Sequence, residues 1–84
     1  MWKQEKISVE CYSGFRVNES PRTLIYGGRR LSVLEVIDRW YEGGLKPDVP
    51  IMHFFRVRAD DGVVYLIRYD PSRDEWTILI QKKA

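Results

Sequence analysis

The chain is poor in the residues that most often carry chemistry. It holds one cysteine and one histidine among 84 residues. A lone cysteine makes no internal disulfide, so packing alone must hold the domain, which suits a reducing compartment. A zinc centre of the usual kind needs several convergent Cys, His or carboxylate ligands, and this composition excludes it. Long apolar runs are missing too. None reaches the ~18 residues of a membrane span, and the opening "MWKQEKISVE" lacks the apolar stretch of a signal peptide. These two absences set the expectation of a soluble cytoplasmic protein with no membrane partner. Charge of one sign is scarce: the net charge is +2, well short of the surplus that marks most nucleic-acid binders. No glycine loop has the spacing of a nucleotide fingerprint, "YGGRRL" included. No cofactor, no metal and no enzymatic activity is expected.

What is present describes a small globular domain. The residues are 44% hydrophobic, 13% aromatic and 31% charged, which is too apolar for a disordered chain. The length fits a single domain over residues 1–84, able to bury roughly 60–65% of its unfolded surface. Nine of the fourteen cations are arginine, which stacks on rings and makes bidentate contacts that lysine does not. Turn-forming pairs recur at Ser13-Gly14, Ser20-Pro21, Gly27-Gly28, Gly43-Gly44, Pro47 to Pro50, Asp61-Gly62 and Asp70-Pro71. That spacing of about 8–12 residues belongs to small all-β domains.

The stretch "FFRVRADDGVVYLIRYD" sets the register. With Asp60-Asp61-Gly62 as a three-residue loop, Ala59 faces Val63, Val57 faces Tyr65, Phe55 faces Ile67 and His53 faces Tyr69. One face then takes these apolar residues. A two-residue loop would mix Val57 and Arg68 on one side, because a slip of one residue flips a strand. A four-residue loop Pro71–Asp74 next pairs Tyr69 with Trp76, Ile67 with Ile78 and Tyr65 with Ile80, choosing the same inner face. Upstream, "ISVEC" alternates with Ile7, Val9 and Cys11 inward, and Gly27-Gly28 brings Leu24 opposite Leu31. Residues 32–42 fit two templates. Ser32 and Glu35 form a helical capping box closed by Gly43. The Val, Ile, Trp and Tyr content instead fits a strand, provided a bulge absorbs the break at Leu34-Glu35-Val36. The fold expected is mainly β: a small antiparallel meander or partly open SH3-like barrel of five to six strands. Residues 32–42 are either a bulged strand or a single helix.

Chemistry-bearing candidates are few. His53 shares the inner face with Tyr69 and reads as a packed histidine, and Cys11 reads as a buried thiol. Asp60, Asp61, Asp70 and Asp74 sit in turns, where Asp bonds to nearby backbone. The remaining candidate is the outer face of the hairpin, with Phe54, Arg56, Arg58, Leu66 and Arg68. Rings there can stack bases, and arginines can neutralise phosphates. The simpler reading, preferred to that one, is that arginine stems cover apolar positions and keep their heads in water. Exposed rings and arginines also suit a protein partner, with Trp2 and an outward Trp40 as further contacts. An open sheet edge can accept a partner strand, which allows a monomer or a weak homodimer through that edge.

The segments "GGRRLSVLEVIDRW", "FFRVRADDGVVYLIRYD" and "DEWTI" together resemble a group of small uncharacterised bacterial proteins. The shared pattern is a Gly-Arg pair, a Val-x-Glu-Val/Ile-x-Asp-x-Trp run, an aromatic-Arg/Lys-Val-Arg strand, a glycine turn and a late Trp. It covers the chain from Ser13 to Ile80. A looser version is similar to the C-terminal extension of mutagenesis-associated proteins that resemble Y-family DNA polymerases. The resemblance implies a hairpin joining the "EVIDRW" segment to the "FRVR" strand. Here "YEGGLKPDVPIMH" makes that connection longer than in the short relatives. It supplies no catalytic residues. The expected function is a non-enzymatic binding module for a protein partner, through a β edge or the aromatic and arginine face. The alternative is single-stranded nucleic-acid binding linked to DNA repair or damage tolerance.

Overall fold

Each interval between turn signals becomes a strand. A computed structural model describes residues 2–11 and 20–81. The strands are β1 (Trp2–Cys11), β2 (Pro21–Tyr26), β3 (Arg29–Glu42), β4 (Met52–Ala59), β5 (Val64–Asp70) and β6 (Glu75–Gln81). They follow one another as an antiparallel meander, and β1 returns to pair with β6, closing a barrel. The turn expected at Ser13-Gly14 and the side chain of Trp2 lie outside the described residues.

Two long strands serve both sides of the barrel. Residues 2–7 of β1 pair with β6, and residues 8–11 pair with β2. Arg29 to Ser32 of β3 pair with β2, and Val33 to Glu42 pair with β4. Corners of this kind let a short meander close without extra strands.

Residues 32–42 are strand, and the helical alternative is corrected. Ser32 lies opposite Thr23, and its carbonyl accepts the Asp60 amide at 2.9 Å. Glu35 lies opposite Arg58. Both capping-box residues are therefore engaged in the sheet, where β-branched and aromatic neighbours gain cross-strand partners. The expected break in alternation is real: the register shifts between Val33 and Glu35 and again between Val36 and Asp38. Leu34 and Ile37 are the extra residues of two successive bulges.

The turns follow their residue chemistry. Gly27 and Gly28 both have positive φ, 61° and 76°, as a two-residue type I′ hairpin requires. At the next hairpin the Gly62 amide donates to the Ala59 carbonyl at 2.9 Å, and the Ala59 amide to the Val63 carbonyl at 3.0 Å. That is the three-residue loop, and the pairs His53–Tyr69, Phe55–Ile67 and Val57–Tyr65 follow from it. Tyr69–Trp76 and Ile67–Ile78 pair as the four-residue loop demands. The buried core is Leu24, Leu31, Phe55, Val57, Ala59, Ile67, Tyr69 and Ile78. Val63, placed opposite Ala59, is instead exposed because it still belongs to the loop. Cys11 is half-buried rather than sealed in.

Tyrosines clamp both of these turns. The Tyr65 hydroxyl donates to Asp61 at 2.6 Å and the Tyr69 hydroxyl to Asp74 at 2.7 Å. Burial, and then the bond to Asp61, push the Tyr65 phenol up to about 12. The bond to Asp74, and then burial, do the same for Tyr69. Because folding raises these pKa values, their stabilisation is complete below the unfolded value of about 10 and is lost as pH climbs through 12. We expect the thermal midpoint to fall steeply across that window. Tyr65→Phe with Tyr69→Phe should flatten the fall, and an unchanged slope in the double variant would reject the assignment.

Candidate binding face

The outward side of β3, β4 and β5 is built by register alone. Three cross-strand rows define it: Glu35–Arg58–Val64, Asp38–Arg56–Leu66 and Trp40–Phe54–Arg68. Leu66 continues the second row to Leu79 of β6, and Arg68 continues the third to Thr77. The five residues singled out by sequence, Phe54, Arg56, Arg58, Leu66 and Arg68, thus fall on one face. Arg56 and Arg58 are exposed, while Phe54, Leu66 and Arg68 are half-buried.

Each arginine meets an acceptor within the chain. Arg58 Nη1 donates to Glu35 Oε1 at 2.5 Å, Arg56 Nη1 to Asp38 Oδ2 at 3.1 Å, and Arg68 Nη2 to Gln4 Oε1 at 3.0 Å. Trp40 and Phe54 lie nearly parallel, 4° apart with centroids at 5.4 Å. The Arg56 guanidinium sits 5.7 Å from the Trp40 ring centre, and the indole N–H donates to Glu42 at 3.0 Å. Exposed pairs of this sort contribute only ~0–1 kcal/mol each. Their effect is on the field: positive and negative charge alternate over the face around Phe54, Leu66, Val64 and Leu79.

The acceptors were not legible from spacing. Glu35 and Asp38 are three residues apart, which on a regular strand puts them on opposite sides. The bulge at Ile37 returns both to the outer face, opposite Arg58 and Arg56. Gln4 comes from β1, far away in sequence, and reaches Arg68 because β1 closes on β6.

The inner rim carries rings. His53 packs edge-on to Tyr41 at 5.4 Å and lies 6.3 Å from Tyr69, which itself lies 4.8 Å from Trp76. Among the described residues no three His, Cys, Asp or Glu side chains converge as a metal site would require. On the far side of the barrel, Glu10, Cys11, Arg22, Thr23, Arg30 and Ser32 line an open polar hollow. An ion pair from Arg30 to Glu10, 2.5 Å long, spans β2 there above Thr23. In the turns, the bond from Tyr65 holds the Asp61 carboxyl below its usual range, and the Ser72 hydroxyl does the same for Asp70. These bonds assign the carboxylates to local turn chemistry. No protein-family model, curated protein or solved structure matches the chain, so the face is interpreted from its own chemistry.

Proposed function

We propose that the chain is a non-enzymatic binding module whose partner is a protein, engaged by the outward face of β3, β4 and β5. The observation that carries this reading is the ion pairing of two of the three arginines, Arg56 and Arg58, with the third, Arg68, hydrogen-bonded to Gln4. A phosphate backbone is held by cations whose charge is available, and each such contact adds to the salt dependence. Here Glu35 and Asp38 already offset Arg58 and Arg56, and Arg56 lies against the Trp40 ring that a base would use. Rings and leucines bordered by exchangeable polar pairs are instead the make-up of protein-binding patches, where Trp, Tyr and Arg supply most of the affinity.

The test has two arms. A photo-crosslinking amino acid replaces Phe54 in one variant and Ser8, exposed on the other side of the barrel, in a second. In producing cells, position 54 is expected to give a discrete protein adduct that position 8 does not. In parallel, amide shifts are followed against a short single-stranded and a short duplex oligonucleotide at low and physiological salt. No shifts are expected over residues 54–58 and 64–68. Salt-sensitive shifts there, with no protein adduct at position 54, would replace this reading with the nucleic-acid one.

A further inference from the structure

The polar hollow on the far side of the barrel is built around one side chain, Thr23. On β2, Leu24 lies in the core, so its neighbour Thr23 points outward. Register places Thr23 between Glu10 of β1 and Ser32 of β3. An outward threonine in so small a barrel would ordinarily be solvated, yet Thr23 is only 9% exposed. Arg30 stands opposite Ile25, in the next row, and its guanidinium reaches back across β2 to Glu10. The ion pair therefore crosses above Thr23.

Besides Tyr69, whose hydroxyl is bonded to Asp74, Thr23 is the one buried polar side chain among the described residues. Among them its hydroxyl has no hydrogen-bond partner, and no fully covered side-chain N or O atom is left unpaired, so this hydroxyl opens into the hollow that Thr23 lines. Buried donors are normally satisfied, and one left over marks a place for an acceptor.

The lining says which acceptor. Every lining side chain except Glu10 can donate a hydrogen bond: two guanidiniums, two hydroxyls and the Cys11 thiol. Arg30 already holds a carboxylate at the rim, that of Glu10. Both side chains of that pair are half or more exposed, so the bond is weak and exchangeable. An incoming carboxylate can take over the Arg30 contact through two parallel N–H donors. It can also accept from Thr23, which Glu10 does not. The hollow measures about 620 Å³, the size of a small-molecule site rather than of a bare ion. The Arg58–Glu35 pair on the β3–β5 face is equally short, but among the described residues no buried hydroxyl accompanies it. An ion pair alone is thus not what singles out the hollow.

We propose that this hollow binds the carboxylate of a small polar organic acid. Arg30 and Thr23 hold it, Ser32 is a further donor, and Glu10 is the internal competitor that the ligand displaces. The site is separate from the protein-binding face and does not depend on it.

Amide shifts of the full chain, followed as sodium acetate replaces sodium chloride at constant ionic strength, test this. Saturable shifts are expected at Cys11, Thr23, Arg30 and Ser32. Arg30→Gln should weaken binding about tenfold and Thr23→Val several-fold, since each removes a donor. Glu10→Gln should tighten it roughly threefold or more, because the competitor for Arg30 loses its charge. That gain is a result a damaged fold does not produce. Arg73→Gln, in the β5–β6 turn, should leave binding unchanged. Absence of saturable shifts overturns the proposal, and so does Glu10→Gln with unchanged or weaker binding. An Arg73→Gln loss equal to that of Arg30→Gln would reduce the effect to net charge and overturn it as well. A parallel titration with inorganic phosphate checks the ligand class: saturation by phosphate and none by acetate overturns the carboxylate assignment.

Discussion

Replacing Phe55 with alanine is expected to remove about 3–5 kcal/mol of stability, the usual loss for a fully buried aromatic. A domain of this size has on the order of 4–13 kcal/mol in all, so the variant should be partly unfolded at physiological temperature. Phe55 is 1% exposed on β4, in the middle of the sheet. Its ring lies 5.5 Å from Trp76 and opposite Ile67, and the Arg39 guanidinium caps it 5.0 Å from the ring centre. Truncation leaves a cavity bounded by two strands held by hydrogen bonds, which cannot collapse to fill it. The neighbouring residue is the control. Phe54 points outward and stacks on Trp40, so Phe54→Ala should cost about 1–2 kcal/mol, from a lost aromatic pair and partial burial. Urea unfolding of both variants measures the difference. Equal losses, or a larger one at position 54, would mean that β4 is set one residue out of register.

That control shows what could be read from the chain itself. Phe54 and Phe55 separate because Asp60-Asp61-Gly62 and Asp70 to Asp74 each fix a loop length, and both loops select the same inner face. Turn chemistry and strand alternation are local, so they are visible in sequence. The path of residues 32–42 was not fixed this way. Ser32, Glu35 and Gly43 satisfy a helix locally, and only the ladder to β4 decides for strand. Closure is likewise a long-range fact. Lys3 and Glu5 lie opposite Ile80 and Ile78, so the start of β1 does not alternate like a buried strand, even though it seals the barrel. The outward face of β3, β4 and β5 divides in the same manner. Its arginines and rings were legible from the β4–β5 hairpin. Their acceptors were hidden, because Glu35 and Asp38 share a side only through the Ile37 bulge and Gln4 arrives only through closure.

Gly43→Ala is expected to cost about 2–4 kcal/mol and to act on the β3–β4 loop rather than on the barrel. Two effects add. A φ of 91° is open to glycine but strains an L residue by about 1–3 kcal/mol. In addition, a methyl group at this position would press into the Pro50 carbonyl oxygen, a backbone atom with little freedom to yield. The loop must then open, and the end of the ladder at Glu42–Met52 opens with it. Gly28→Ala isolates the first effect. Gly28 has a φ of 76°, yet nothing lies within 4 Å of an added methyl, so its cost should stay near 1–2 kcal/mol. Amide shifts in Gly43→Ala should concentrate between residues 41 and 52, with Phe55, Ile67 and Ile78 unmoved. If Gly28→Ala proves as costly as Gly43→Ala, close approach to Pro50 is not what shapes the β3–β4 loop.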